Sequence, residues 1–205
     1  MTSSDAEAAP GRQAARSEAT RAKLIDAGIK LFSERGFAGV GTEEIVEQAE
    51  VTRGALYHHF GDKRDLFRAV HETLEGRLVA EIAAALESDP REDALEALEV
   101  ASRAVLDMAL DSKIARVTLI DAPSVLGWEE WREIDTRYGL GLTESVLTAA
   151  MEAGRIKSQP VTPLAHLLVA ALGEAAIMVA TASDPKRARA EIEPALSALL
   201  HGLAS

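Results

Sequence analysis

Apolar positions recur at spacings of three and four through most of the chain, and no alternating pattern of period two persists for more than a few residues. That pattern predicts helices and no sheet. Leu24, Ile25, Gly28, Leu31 and Phe32 share one face of a helix running from about Ser17 to Arg35, and Gly36 follows where a glycine takes the left-handed C-terminal conformation. After a short loop, Thr42 stands at an N-cap position, Glu43 and Glu44 complement the positive end of the helix dipole, and Ile45 and Ala49 face inward. A turn at Glu50 and Val51 leads to Thr52, a second N-cap, and to a short helix. Its inner face is Ala55, Leu56, His59 and Phe60; its outer face is Arg53, Gly54, Tyr57 and His58. Gly61 stops that helix, and Asp62 caps a fourth with Leu66, Phe67, Val70, Leu74 and Leu78, long enough to join two domains.

Past Ser88, Asp89 and Pro90 the periodicity resumes at Leu95, Leu98, Ala101 and Val105 and runs to about Leu110. A short helical piece is expected around Lys113 to Ile120, broken by Ala122-Pro123-Ser124. Trp128 to Ala153 reads as one long helix despite Gly139 and Gly141, ended by Gly154. Leu164 to Ala182 is a further helix, apolar nearly all round, and after Ser183-Asp184-Pro185 a last one carries Ile192, Ala195, Leu196, Leu199, Leu200 and Leu203. The expected fold is all-α, with about nine helices.

Composition sharpens this picture. Alanine and leucine dominate the apolar residues and aromatics make up only 4%, as in all-helical proteins. With no cysteine, disulfides and thiolate metal sites are excluded, and a cytoplasmic location fits. Residues 1–16 lack the apolar core of a signal peptide and read as a flexible polar arm. Leu164 to Ala182 has roughly the length of a membrane span, but His166 and Glu174 interrupt it, so a buried helix is the better reading and no membrane partner is expected. The net charge of −11 is unevenly distributed: Arg12 to Arg68 holds 10 basic against 9 acidic residues, whereas Ala69 to Ser205 holds 12 against 22. The N-terminal segment is thereby free to meet phosphate.

From about Arg21 to Phe67 the chain resembles the DNA-binding domain of the TetR family of regulators. The matching residues are the first helix, Gly36-Phe37, Thr42 before Ile45, Ala49 with Val51, Gly54-Ala55-Leu56-Tyr57-His58-His59-Phe60, and Lys63 with Leu66-Phe67. Glu50 departs from the pattern, since the family often has glycine at that turn, and a left-handed turn there strains a glutamate. The resemblance implies a helix-turn-helix domain over residues 17–65 and a divergent helical ligand-binding and dimerisation domain over residues 66–205. In a helix-turn-helix the second helix enters the major groove with its N-terminal residues against the bases. Arg53 then suits a bidentate bond to guanine, Gly54 allows close approach, Tyr57 suits a phosphate or a thymine methyl, and His58 suits a phosphate. Thr42 and Thr52 combine capping with phosphate donation, and Lys63, set against the positive end of the fourth helix, is favoured there if it shares a bound phosphate. Arg12 and Arg16 are candidates to follow the minor groove, with solubilising charge as the plainer reading.

In the C-terminal part, Trp128, Trp131, Asp135 and Tyr138 lie along one helical stripe, which is either the wall of an effector pocket or a packing seam between helices. Met108, Met178 and Glu174 join them as candidate ligand contacts, and His71, Met151 and His166 are either pocket lining or core. The run His71-Glu72-Thr73-Leu74-Glu75 opens like the zinc motif HExxH but lacks its second histidine, and is read as helix surface. No catalytic constellation, nucleotide loop or metal site stands out, and no cofactor is expected. The resemblance implies dimerisation through Leu164 to Ala182 and Ile192 to Leu203, two recognition helices facing an approximately palindromic operator, and a homodimeric repressor released by a small molecule. Its alternatives are a helical ligand-binding or enzymatic protein that has lost DNA recognition, and an activator of the same fold.

Overall fold

A computed structural model describes residues 8–88 and 94–204 and divides the chain into two compact units, Met1–His71 and Glu72–Ser205. The division falls inside the fourth helix, after His71, a few residues beyond the expected position.

In the first unit, α1 (Ala8–Arg35), α2 (Thr42–Gln48) and α3 (Arg53–His59) pack together with the start of α4 (Lys63–Ser88). Helix α1 begins well before Ser17, so residues 8–16, expected to be a flexible arm, continue it; the alanines there favour helix. Residues 1–7 and the side chain of Arg12 lie outside the described residues. Leu24, Phe32, Ile45, Leu56, Leu66, Phe67 and Val70 are fully buried. Phe67 meets Phe32 and Phe37 edge-on, each at 5.2 Å between ring centroids. Gly28 is needed at its place because a Cβ there would lie 2.7 Å from Val70 Cγ2.

The turns follow from their caps. Thr52 caps α3, accepting a 3.2 Å bond from the Ala55 N–H, and Asp62 Oδ1 accepts from Asp65 N–H at 2.8 Å. Thr42 is not a cap: the N-cap of α2 is Gly41, whose N–H donates to Glu44 Oε1 at 3.0 Å, and Thr42 is the first helical residue. At the end of α2, Glu50 has φ 55°, and Val51 N–H reaches Val46 O at 3.0 Å while Glu50 N–H reaches Glu47 O at 3.1 Å. This is the Schellman arrangement, with glutamate in the left-handed position usually held by glycine.

The second unit contains the rest of α4, then α5 (Ala94–Leu110), α6 (Ser112–Ala115), a π-helical turn (Arg116–Asp121), α7 (Ala122–Leu126), α8 (Trp128–Glu152), α9 (Val161–Thr181) and α10 (Pro185–His201). Counting the continuous stretch 112–126 as one body gives nine helices among the described residues. No strand forms there beyond an isolated bridge between Ile156 and Ala204. Contrary to the break expected at Ala122-Pro123-Ser124, Pro123 does not interrupt its helix. It sits in the first turn of α7, where a missing N–H costs little, and Gly127, with φ 86°, makes the break instead. Leu98, Leu147, Ala150, Ala165 and Leu200 form a core shared by α5, α8, α9 and α10. Helix α9 is long and apolar enough to cross a membrane, yet Ala165, Val169, Gly173, Ala176 and Val179 are buried within this bundle.

Candidate nucleic-acid interface and ligand pocket

The outer face of α3 is as the spacing predicts. Arg53, Gly54, Tyr57 and His58 are exposed, while Leu56 and Phe60 are buried and Ala55 and His59 half-buried. The exposed groups are pre-positioned by one another. Arg53 Nη1 donates to Glu43 Oε1 at 2.6 Å, the guanidinium lies 5.5 Å from the Tyr57 ring centroid, and the Thr42 hydroxyl donates to Glu43 Oε2 at 2.9 Å. Hydrogen bonding from Thr42 is the main cause holding the Glu43 carboxyl below its usual range, and Arg53 adds to it. Thr42, Glu43, Arg53 and Tyr57 thus form a chain across α2 and α3. Glu43 is the member that sequence reasoning missed, having been read only as a dipole partner; its pairing with Arg53 depends on how two helices meet. A Cβ on Gly54 would meet nothing nearer than Thr52 Oγ1 at 3.9 Å, so nothing inside the unit requires glycine there.

Lys63 occupies a different environment from the one anticipated. Its ammonium donates to Phe37 O at 3.0 Å and Val40 O at 2.9 Å and lies 4.0 Å from the centroid of the Phe37 ring. Two carbonyls and a ring face therefore offset the repulsion of the helix dipole without any phosphate. An ammonium has three N–H groups, and this arrangement leaves one for an external acceptor. Arg16 is exposed on α1, where its carbonyl accepts from the Thr20 hydroxyl.

In the second unit the aromatic stripe divides. Trp131 is 1% exposed and its indole N–H donates to Thr118 O at 2.9 Å, so it is a packing seam against the π-helical turn. Trp128 lies 4.9 Å from it, ring to ring, but is 61% exposed. Tyr138 is half-buried on the backbone of Gly76. Glu174, Met178 and His166 are exposed, and Met151 packs on the core. None of these lines the pocket formed by α4, α5, α8 and α9; Asp135 and Met108 do.

That pocket has a volume of about 90 Å³ and lies among α4, α5, α8 and α9. Its walls are apolar, with Leu78, Val79, Ile82, Val105, Leu142 and Val169 prominent, and Leu119 enters from the π-helical turn. Glu75 and Asp135 are its charged lining residues among those described. Burial, reinforced by the neighbouring Asp135, pushes the Glu75 carboxyl up to about 8. Burial raises Asp135 to about 6, against the opposing pull of Arg132, whose Nη1 is 3.2 Å from Asp135 Oδ2. The segment from His71 to Glu75 is therefore not helix surface: His71 and Leu74 are buried, burial lowers the His71 imidazole to about 4, and Glu75 faces the pocket. Glu75 was missed because a glutamate three residues from an apparent half-motif looks solvated; the signal was its place, at spacings of three and four, beside Leu78 and Val79. No group of metal-ligating side chains occurs among the described residues.

Residues 24–70 match the family described as bacterial regulatory proteins, tetR family, and residues 95–203 match the tetracyclin repressor-like C-terminal domain. A TetR-family transcriptional regulator from Pectobacterium atrosepticum has a crystal structure that superposes with a TM-score of 0.82 at 35% identity, over 93% of this chain and 96% of that one. The HTH-type transcriptional regulator AcrR of Shigella flexneri is 42% identical over 74 residues, 35% of this chain and 34% of AcrR. The fold also matches the transcriptional regulator FadR of Bacillus subtilis in complex with stearoyl-CoA, at 21% identity and a TM-score of 0.68, over 87% of this chain and 96% of that one. With a DNA-reading domain matched at one end and the family's C-terminal domain at the other, the chain belongs to the TetR family of transcriptional regulators.

Proposed function

We propose that this regulator is a homodimeric, cytoplasmic repressor that binds an approximately palindromic operator through Thr42, Thr52, Arg53, Gly54, Tyr57, His58 and Lys63, and leaves it when a small molecule enters the pocket of the second unit. The observation that carries the DNA-binding part is Gly54. An exposed helical glycine with open space around it has no internal reason to be glycine, and close approach to a groove supplies an external one. Two further observations support the regulatory part. Exposed apolar side chains, Leu167 at 69% and Leu199 at 60%, stand on α9 and α10, the expected dimer helices. Helix α4 (Lys63–Ser88) carries Lys63 in the first unit and the pocket residues Glu75, Leu78, Val79 and Ile82 in the second. The stearoyl-CoA complex of the B. subtilis protein is an instance of a small molecule held on this fold. For release, the effector has to bind more tightly to the conformation that cannot grip DNA.

Gel-shift titration on DNA flanking the protein's own gene tests the reading. Tight binding to one fragment is expected, and equal binding to every fragment would remove the specific regulator. Salt dependence counts the phosphate contacts: Lys63→Ala is expected to lower the log–log slope by about 0.9. An unchanged slope would leave Lys63 as a clamp on the Phe37–Val40 loop only.

A further inference from the structure

Glu43 stands in the first turn of α2, bonded to the first residue of α3, and carries a charge that runs against contact with DNA. A carboxylate on a face that meets phosphate weakens binding to every duplex alike. Yet this one is held in place. Its Oε1 accepts from Arg53 Nη1 at 2.6 Å and its Oε2 accepts from the Thr42 hydroxyl at 2.9 Å, so each oxygen has a partner. On the far side of Arg53 the Tyr57 ring centroid lies 5.5 Å from the guanidinium, and hydrogen bonding with Tyr57, then the charge of Glu43, strengthen the hold of Arg53 on its proton. Folding does not require the ion pair. Its side chains are 61% and 68% exposed, and pairs so solvated add little to stability.

The consequence falls on what Arg53 meets at a duplex. An unrestrained arginine bonds either a phosphate, which carries no sequence, or the O6 and N7 of guanine, which do. Of the five N–H groups of a guanidinium, Glu43 engages one at Nη1, and N–H groups remain for a base edge. A phosphate drawn to Arg53 also approaches the Glu43 carboxylate and is repelled by it, whereas the edge of guanine is uncharged. The carboxylate further restricts a long side chain before binding, so less rotamer freedom is lost on contact. Resting on the reading of Arg53 as a base contact, we infer that Glu43 is a specificity-determining residue: acting through Arg53, it holds the guanidinium for guanine and keeps it from phosphate. The residue lowers affinity for arbitrary DNA and widens the gap between the operator and the rest.

Selection from a randomised duplex library by the full-length protein, followed by titration of the best-bound and of unselected duplex at one salt concentration, tests this. A preferred guanine is expected in the selected site, and its replacement by 7-deazaguanine, which lacks the N7 acceptor, should weaken wild-type binding about tenfold. Glu43→Gln keeps the shape of the side chain and removes its charge. That variant is expected to bind unselected duplex more tightly, to lose about tenfold in the ratio of selected to unselected affinity, and to show a smaller 7-deazaguanine penalty, all at an unchanged melting temperature. A ratio and penalty equal to those of the wild type overturn the inference. So does equal weakening on both duplexes with a lowered melting temperature, which makes Glu43 a brace between α2 and α3. Arg53→Ala separates the two readings: if the guanine preference survives it, Arg53 is not the base contact and the underlying reading fails. If the preference is lost in Arg53→Ala and kept in Glu43→Gln, the role of Glu43 alone fails.

Discussion

Two residues of the reading head show how a side chain, or its absence, divides between stability and function. Gly54 stands in the first turn of α3 with open space where a Cβ would go. Alanine is favoured over glycine inside a helix by up to about 1 kcal/mol, so Gly54→Ala should leave the melting temperature unchanged or higher. Operator affinity should nevertheless fall at least tenfold, because the added methyl meets the groove. A gel shift beside a thermal melt checks both, and unchanged affinity would take Gly54 off the contact surface. Glu50 is the converse case. Its φ of 55° costs a residue with a Cβ about 1 to 2 kcal/mol, offset in part by the lower entropy loss of a non-glycine chain. Glu50→Gly should therefore stabilise the protein by about 0.5 to 1 kcal/mol, seen as a raised denaturation midpoint. Gly154 takes the same position at the end of α8 at φ 69°, with Arg155 N–H on Ala150 O and Gly154 N–H on Met151 O, and there the usual residue is present.

At the level of elements, most helices were legible because each has an apolar face facing a core, and that face repeats every three to four residues. Ile45, Leu56, Leu66, Leu98 and Leu147 are all buried as their spacing predicts. Ends were less legible where a competing residue carried the cap: Gly41 in place of Thr42, and Gly127 in place of Pro123. The outer face of α3 was legible for the same reason as the core, being what the core does not use. The pocket was not, since it depends on which helices meet. Asp135 and Met108 reach it, whereas Trp131, on the same stripe as Asp135, turns its indole to Thr118 O. A helix offers one periodic stripe, but neighbours of different kinds divide it. Gly28 shows the tolerance of such contacts. Its α-carbon is where α1 meets Val70, and a Cβ at 2.7 Å from Val70 Cγ2 forces a shift in a packed aliphatic wall. Gly28→Ala gains helix propensity, yet overpacking typically costs about 1 to 3 kcal/mol and should outweigh that gain. A lowered denaturation midpoint is the expected result; a raised one would mean that Val70 yields freely.

For the molecule as a whole, the two units are expected to answer pH in opposite senses, and one helix carries both sensors. His71, the last residue of the first unit, is buried and its pKa falls from 6.5 to about 4. The folded state then binds fewer protons than the unfolded chain between those values. Its contribution to stability is complete above about pH 6.5 and is lost as the pH falls toward 4. Glu75, one helical turn further along α4 in the second unit, moves the other way, from 4.5 to about 8. Here the folded state holds the proton longer, so stability is complete below about pH 4.5 and is lost as the pH rises toward 8. Asp135, moved from 3.8 to about 6, adds to the same alkaline loss over the lower part of that window. At about 1.4 kcal/mol per pKa unit, each limb is worth a few kcal/mol, a sizeable part of the stability of a small domain. Between about pH 4.5 and 6 the two carboxyls outweigh the histidine, and above about pH 6.5 Glu75 acts alone, so thermal melts from pH 4.5 to 8.5 should show stability falling overall as the pH rises. Glu75→Gln removes an ionisation without changing shape, so it should abolish the loss above about pH 6.5 and leave the opposed contributions of His71 and Asp135, which largely cancel below that. A loss of stability above about pH 6.5 that persists in Glu75→Gln would mean that Glu75 is not its source.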